Sequence, residues 1–221
     1  MKNEFAAKRT RLVEYISGFA IKSAEVKNAF LEVKRENFVP EKFRRYAYED
    51  EALPLRQGQT ISQPSTIAIM LELLGVSKGM AVLEVGSGFG YVIALLSKIA
   101  GGEGKIFGVE TLRELAEQCK KNLEKEEIKN AEILNADGYE GWPEKAPFDR
   151  ILVSCACPFI PKKLFDQLNE GGRIVAPVGD EGTQMLEIMI KREGKPFKKT
   201  YYESTFVFVP MKSKEFRSFH Q

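Results

Sequence analysis

From residue 81 onward, short β-rich runs alternate with helix-length stretches, and this alternation restricts the fold more than any other feature of the chain. The runs are Ala81 to Val85, Lys105 to Val109, Ala131 to Asn135, Arg150 to Ser154 and Arg173 to Pro177. Helical stretches at Tyr91 to Ile99, Leu112 to Lys125 and Lys162 to Leu168 separate most of them. Apolar runs of strand length, each buried on both faces and linked by helices, imply a mostly parallel sheet in a layered α/β fold. Two later runs, Gln184 to Lys191 and Tyr202 to Val209, are joined by Glu193-Gly194-Lys195-Pro196. That connection is too short for a parallel crossover, so the pair should be antiparallel.

The part before residue 81 reads as helical. Leu12, Val13, Ile16 and Phe19 fall near one face of a helix over Phe5 to Phe19, and a second helix begins after Ser23 and ends before Pro40. A polar loop from Asp50 to Gln63 follows, broken by Pro54 and Gly58. Pro64 suits the first position of a helix running to Leu74, because its missing N–H has no partner there anyway, and Gly75 suits the C-terminal cap. These elements predict one domain over residues 1–221. It comprises a helical extension and substrate loop (1–63), a Rossmann-like core (64–210) and a tail (211–221).

The first run ends in Glu84-Val85-Gly86-Ser87-Gly88-Phe89-Gly90, with a glycine at every second position. Glycines let the chain turn tightly and approach a ligand, and the helix that follows presents free N–H groups. A dinucleotide fingerprint would place its last glycine at position 91, where this chain has Tyr91. The spacing therefore favours an S-adenosylmethionine-type turn over a pyrophosphate cradle. Glu110 ends the second run, where a carboxylate can accept bonds from both ribose hydroxyls. Asp137, followed by Gly138, ends the third, where it can face an adenine amino group. In open α/β sheets ligands lie at the carboxyl ends of the strands, so Glu84, Glu110 and Asp137 should converge. Five helix-linked strands followed by a hairpin is also the layout of class I methyltransferases, whereas a dehydrogenase would continue with another helix-linked strand.

Composition removes several alternatives. The 33 basic and 31 acidic residues leave a formal charge of +2, which gives no nucleic-acid footprint. No apolar run approaches the length of a membrane span, and a cytoplasmic protein without membrane partners is expected. Cys119, Cys155 and Cys157 form no disulfide framework and are read as structural, and no metal is expected. The single histidine is His220 in the tail, which argues against histidine-based general-base, nucleophilic and zinc chemistry.

Taken together, Gly58 to Pro64 (GQTISQP), VLEVGSGFGY, Asp137-Gly138, PFDRILVSCACPFIP, LNEGGRIVAPVG and the closing FVFVP resemble the protein-L-isoaspartate (D-aspartate) O-methyltransferase family. The motifs are spread over most of the chain in family order, and GQTISQP is far more specific than the glycine turn. The resemblance implies methyl transfer from S-adenosyl-L-methionine, which becomes S-adenosyl-L-homocysteine, to the free α-carboxylate of isoaspartyl residues in damaged proteins. It implies Ser62 as the active-site serine, with Thr60, Ile61 and Gln63 beside it at the substrate. It also implies Glu84, Gly86, Ser87, Gly88, Gly90, Glu110, Asp137 and Gly138 as cofactor contacts, in an expected monomer. Ser154-Cys155-Ala156-Cys157 departs from the alanine-rich segment more usual in the family, and Ser65 from a bulkier residue.

The chemistry fits the residues. A carboxylate with a pKa near 4 is already ionised at neutral pH and needs no base. Ser62, just before the helix opened by Pro64, is expected to orient an acceptor oxygen with help from backbone N–H groups at the helix start. Taken without the motif around it, Ser62 reads first as a capping or turn serine, and the matched GQTISQP segment reverses that order. The main rival is another class I methyltransferase acting on a small molecule or RNA, which has no reason to carry GQTISQP. A nicotinamide oxidoreductase is disfavoured by Tyr91 and the terminal hairpin. A non-catalytic peptide-binding relative is disfavoured by the presence of Ser62 and the three acids.

Overall fold

A computed structural model describes residues 2–180 and 182–217. His220 lies outside the described residues. Near the N-terminus α1 (Lys2–Ile16) and α2 (Ala24–Glu32) pack together, and Ser23 caps α2 by accepting the Val26 N–H at 3.3 Å. Leu12, Val13 and Ile16 are buried as expected, but Phe19 is 53% exposed. The reason is local: α1 stops at Ile16, whose carbonyl takes the N–H groups of Ala20 and Ile21, so the chain turns away and carries Phe19 off the packed face. As expected, α2 ends before Pro40. It gives way to a 3₁₀ turn at Arg35–Asn37 that buries Arg35.

The loop expected from Asp50 to Gln63 contains a small hairpin, with β1 (Leu53–Pro54) paired to β2 (Thr60–Ile61). Its tip reverses through Gln57 and Gly58, at φ 54° and 72°. Then α3 (Pro64–Leu74) ends on Gly75 at φ 63°, a left-handed cap that glycine adopts without steric cost.

The main sheet has seven strands: β3 (Ala81–Val85), β4 (Lys105–Glu110), β5 (Ala131–Asn135), β6 (Phe148–Val153), β7 (Leu168–Asp180), β8 (Thr183–Arg192) and β9 (Lys195–Phe206). Their order is β5-β4-β3-β6-β7-β8-β9, parallel from β5 to β7 and antiparallel for the last two. The helices between them are α4 (Tyr91–Ala100), α5 (Arg113–Lys125) and α6 (Lys162–Asp166), and α7 (Lys214–Arg217) closes the described chain.

Several strand boundaries differ from expectation, the largest shifts being in β7 and β9. Leu168 opens β7 instead of closing a helix, and β7 extends to Asp180 because β8 pairs with it as far as Thr183. The terminal strand begins at Lys195, since Glu193 and Gly194, both at positive φ, form a two-residue turn with Arg192 opposite Lys195.

Alternation along the strands sends one set of side chains to each face. Val82, Ile106, Leu152 and Val175 pack under α1 to α5, and Leu83, Val85, Phe107 and Val153 pack toward α6 and α7. The strand order reverses direction between β3 and β6, which opens a crevice at their carboxyl ends.

Candidate active site

Three adjoining cavities meet at that crevice. The largest, about 590 Å³, is lined by Phe19, Ala52, Thr60, Ser62, Gln63, Ser65, Thr66, Ile69, Ser154 and the segment from Tyr201 to Val209 without Tyr202. A narrow second one, about 40 Å³, runs from Ser62 and Ile61 to Glu84, the glycine turn and Tyr91. The third, about 50 Å³, lies on the other side of the turn between Gly86, Gly88, Glu110, Gly138 and the segment Val209 to Lys212. Thr60 and Ser154 line all three.

Backbone geometry builds the glycine-turn side. Gly86, Gly88 and Gly90 all have positive φ. The N–H groups of Gly86 and Ser87 bond to the Val109 carbonyl at 2.8 and 3.2 Å, which anchors the turn to β4. A Cβ on Gly90 would stand 2.7 Å from Cys119 Sγ, and one on Gly138 would stand 2.6 Å from Val85 Cγ1. Both glycines let segments approach that no other residue would admit. Leu55, from the β1–β2 connection, lies 3.5 Å from where a Gly88 Cβ would be, so the hairpin tip covers the turn.

Glu84 is 1% exposed. Its Oε1 accepts the Ser154 hydroxyl at 2.7 Å, and its Oε2 has no partner. Burial pushes this carboxyl up to about 8, opposed by the Ser154 hydrogen bond and assisted by the nearby charge of Glu110. An unpaired buried carboxylate oxygen facing a crevice is costly, and it fits a ligand that brings a cation or a donor. Glu110 accepts the Gly88 N–H at 2.9 Å and the Leu112 N–H at 3.0 Å. Its pKa is raised by burial, against the lowering effect of those amides.

Asp137 sits differently. Its Oδ1 accepts the Tyr139 N–H at 3.0 Å and its Oδ2 the Ser213 hydroxyl at 2.9 Å, and it is Gly138, not Asp137, that lines the cavity. Ser87 is buried at the second cavity, and Gly90 starts α4 behind the turn.

The Ser62 side is held by distant residues. Arg35 Nη1 donates to the Ser62 carbonyl at 3.0 Å, and Nη2 to the Glu51 carbonyl at 3.3 Å. Asp50 accepts the Ser65 N–H at 2.8 Å and the Gln63 side-chain amide at 3.0 Å. This corrects the expectation that backbone N–H groups at the start of α3 stand ready for a substrate: the protein's own carboxylate caps Ser65 there. Thr60, Ser62 and Gln63 line the first of these cavities, whereas Ile61 is buried and touches only the second.

The structure brings Thr60, Ser62, Glu84, Gly86, Gly88, Glu110 and Gly138 to the walls of the three adjoining cavities, and Gly90 and Asp137 to none of them. Sequence reasoning missed Ser154, which follows β6 at a strand end next to β3; the strand-end rule used for Glu110 applies equally there. It also missed Arg35, which carries no local signal, and did not place the segment Tyr201 to Lys212 at the site although its FVFVP stretch is one of the family motifs. Among the described residues no group of acids, cysteines and histidines is arranged to hold a metal ion.

A doubly wound sheet, a glycine turn after its central strand and an orphaned acid at the crevice define a Rossmann-like methyltransferase of class I. The sequence model of the family described as protein-L-isoaspartate(D-aspartate) O-methyltransferase matches residues 7–216, and the chain belongs to that family. A protein-L-isoaspartate O-methyltransferase of Staphylothermus marinus is 43% identical over 218 residues, covering 96% of each chain. A solved protein-L-isoaspartate O-methyltransferase superposes with a TM-score of 0.84 at 32% identity, over 93% of this chain and 66% of its own. A Plasmodium falciparum chain assigned to the same activity and solved with S-adenosyl-L-homocysteine gives a TM-score of 0.80 at 25% identity, over 91% of this chain and 97% of its own.

Proposed function

We propose that this chain methylates the free α-carboxylate of L-isoaspartyl residues in damaged proteins and peptides, using S-adenosyl-L-methionine. The ester formed closes to a succinimide, whose hydrolysis returns part of the material to normal aspartate. The observation that carries this reading is the adjacency of two unlike cavities. A hydroxyl-rich pocket around Ser62 shares Thr60 and Ser154 with a crevice whose buried Glu84 oxygen lacks a partner.

S-adenosyl-L-methionine supplies a methyl group on a cationic sulfur and departs as S-adenosyl-L-homocysteine. Glu84, Gly86, Ser87, Gly88, Glu110 and Gly138 are the residues proposed to hold it, with Gly90 shaping the turn from behind and Asp137 fixing the adjoining wall through Tyr139 and Ser213. Glu84 Oε2 suits its ammonium, and Glu110 its ribose hydroxyls. At the acceptor, Ser62 donates its hydroxyl to one carboxylate oxygen, with Thr60, Ile61 and Gln63 beside it. The acceptor arrives ionised, so no residue needs to remove a proton. Of the described residues lining the Ser62 pocket, Glu203 alone carries a charge. The wall therefore gives the acceptor hydrogen bonds but no cation, and its countercharge is the sulfonium of the donor. Excluding water from that contact strengthens it, and holding the two groups in line does the remaining work. The same reading includes a cytoplasmic monomer without nucleic-acid or membrane partners, supported by the near balance of charge.

Incubation with methyl-labelled S-adenosyl-L-methionine and matched peptides containing isoaspartate or aspartate tests the proposal. Base-labile label should appear on the isoaspartyl peptide alone. Label on neither peptide would move the assignment to a small-molecule substrate.

A further inference from the structure

Arg35 is 0% exposed, and none of the groups assigned above accounts for it. Burying a guanidinium is expensive unless its surroundings repay the lost hydration, and an apolar side chain would fill the same space more cheaply. What surrounds Arg35 is specific. One N–H reaches the carbonyl of Ser62, another the carbonyl of Glu51, and the guanidinium carbon stands 5.3 Å from the centre of the Tyr91 ring. Tyr91 is the residue that follows the glycine turn and opens α4, and it is packed from its other sides by Phe30 and Phe38 at 6.2 and 5.7 Å between ring centres. Arg35 thus touches the donor motif through Tyr91 and the acceptor motif through Ser62.

We propose that Arg35 is a positioning residue that sets Ser62 at a fixed height above the glycine turn, so that donor and acceptor sites are held in register by one buried fork. The inference rests on the methyl-transfer reading. Its physical basis is the planarity of the guanidinium. Two N–H groups in fixed relative orientation constrain two carbonyls at once, while the cation stands over an aromatic ring. A lysine in the same place can neutralise the charge but cannot reproduce that fork. The burial that lowers the Arg35 pKa to about 10 still leaves it protonated at neutral pH, with the charge of Asp50 among the groups supporting it.

The test is a double-mutant cycle between Arg35→Met and Ser62→Ala, with Arg35→Lys as a gentler companion. Turnover on an isoaspartyl peptide is measured per S-adenosyl-L-homocysteine binding site, counted by calorimetry, so that loss of folded protein drops out. Arg35→Met should lower kcat at least tenfold while S-adenosyl-L-homocysteine affinity stays within about threefold, and Arg35→Lys should recover only part of the loss. The cost of Ser62→Ala should shrink markedly in the Arg35→Met background, because the serine is then already misplaced. Additive effects, or full activity per site in Arg35→Lys, would overturn the proposal. If Arg35→Met yields no folded protein, the same cycle run with Arg35→Lys gives the decision. Failure of the wild-type enzyme to label the isoaspartyl peptide would instead refute the methyl-transfer reading, so the two failures are distinct.

Discussion

The two halves of the site are built by opposite means. The donor half is made by one continuous stretch, Glu84 to Tyr91, folded by its own glycines and pinned to the next strand through the Val109 carbonyl. The acceptor half is a short hairpin and a helix start that do little to hold themselves. Ser62 is tied by Arg35 from 27 residues away and Ser65 by Asp50 from 15. A locally determined half tolerates changes elsewhere but no change in its own backbone. A remotely determined half can be loosened from outside without losing a single lining residue.

The sharpest way to break this contrast is Gly90→Ala. At φ 89° an alanine is strained, and its Cβ would meet Cys119 Sγ at 2.7 Å. Strain and overpacking together should cost about 2–4 kcal/mol of stability, read as a fall in the urea midpoint, with S-adenosyl-L-homocysteine binding largely lost. An unchanged midpoint would mean that the turn relaxes freely and is not the rigid half. Next in size, Ser62→Ala removes one hydrogen bond to the acceptor, a loss of about 1–3 kcal/mol, or roughly tenfold to a hundredfold in turnover. Cofactor affinity should not move. Equal turnover of variant and wild type would remove Ser62 from the acceptor site.

This division also explains what could be read from the amino acids. The β3 turn, Glu84 and Glu110 were legible because period, glycine spacing and strand ends are local facts. Pro64 and Gly75 likewise marked the ends of α3. Arg35 was invisible because its partners are backbone carbonyls, which leave no trace in a sequence. Asp50 was visible as an acid but not as the cap of Ser65, which requires knowing that the β1–β2 hairpin folds the chain back on itself. The misplaced strand starts, Lys195 and Leu168, fell where polar edge residues break the apolar pattern while the backbone ladder continues.

A middle-sized effect tests whether the orphaned acid belongs to the donor. Glu84 has a folded pKa of about 8, above its ordinary 4.5. Between those values the folded protein holds the extra proton, so Glu84 contributes a stability of the ligand-free protein that is lost as pH rises from about 5 toward 8. Ligand binding runs the other way, because an ammonium selects the ionised form. S-adenosyl-L-homocysteine affinity should therefore rise by up to about tenfold per unit between pH 6 and 7 and level off near 8, with proton release detectable by comparing buffers of different ionisation enthalpy. Glu84→Gln should bind more weakly and with no such slope. A slope that survives in the variant would assign the proton elsewhere.

The smallest predicted effect concerns a long tie at the edge of the donor side, from Ser213 to Asp137 across 76 residues. It belongs to a C-terminal segment that runs along the third cavity, where Met211 N–H donates to Ala156 at 2.8 Å and Ala156 N–H to Val209 at 2.9 Å. That cavity, at about 50 Å³, is far smaller than the roughly 300–1,000 Å³ usual for ligand sites, so the proposed placement of a nucleoside there requires its walls to part. Ser213→Ala removes two hydrogen bonds of the segment, the one donated to Asp137 and the one its hydroxyl accepts from the Glu215 N–H at 3.2 Å, while the two backbone bonds around Ala156 stay in place. The expected result is a stability loss of about 1 kcal/mol. Association with S-adenosyl-L-homocysteine, followed by stopped flow, should be up to a few times faster, and its equilibrium affinity should change less than about tenfold. A loss of affinity approaching that of Gly90→Ala would show that the donor half, too, depends on a remote strap, and the contrast between the halves would fail at that point.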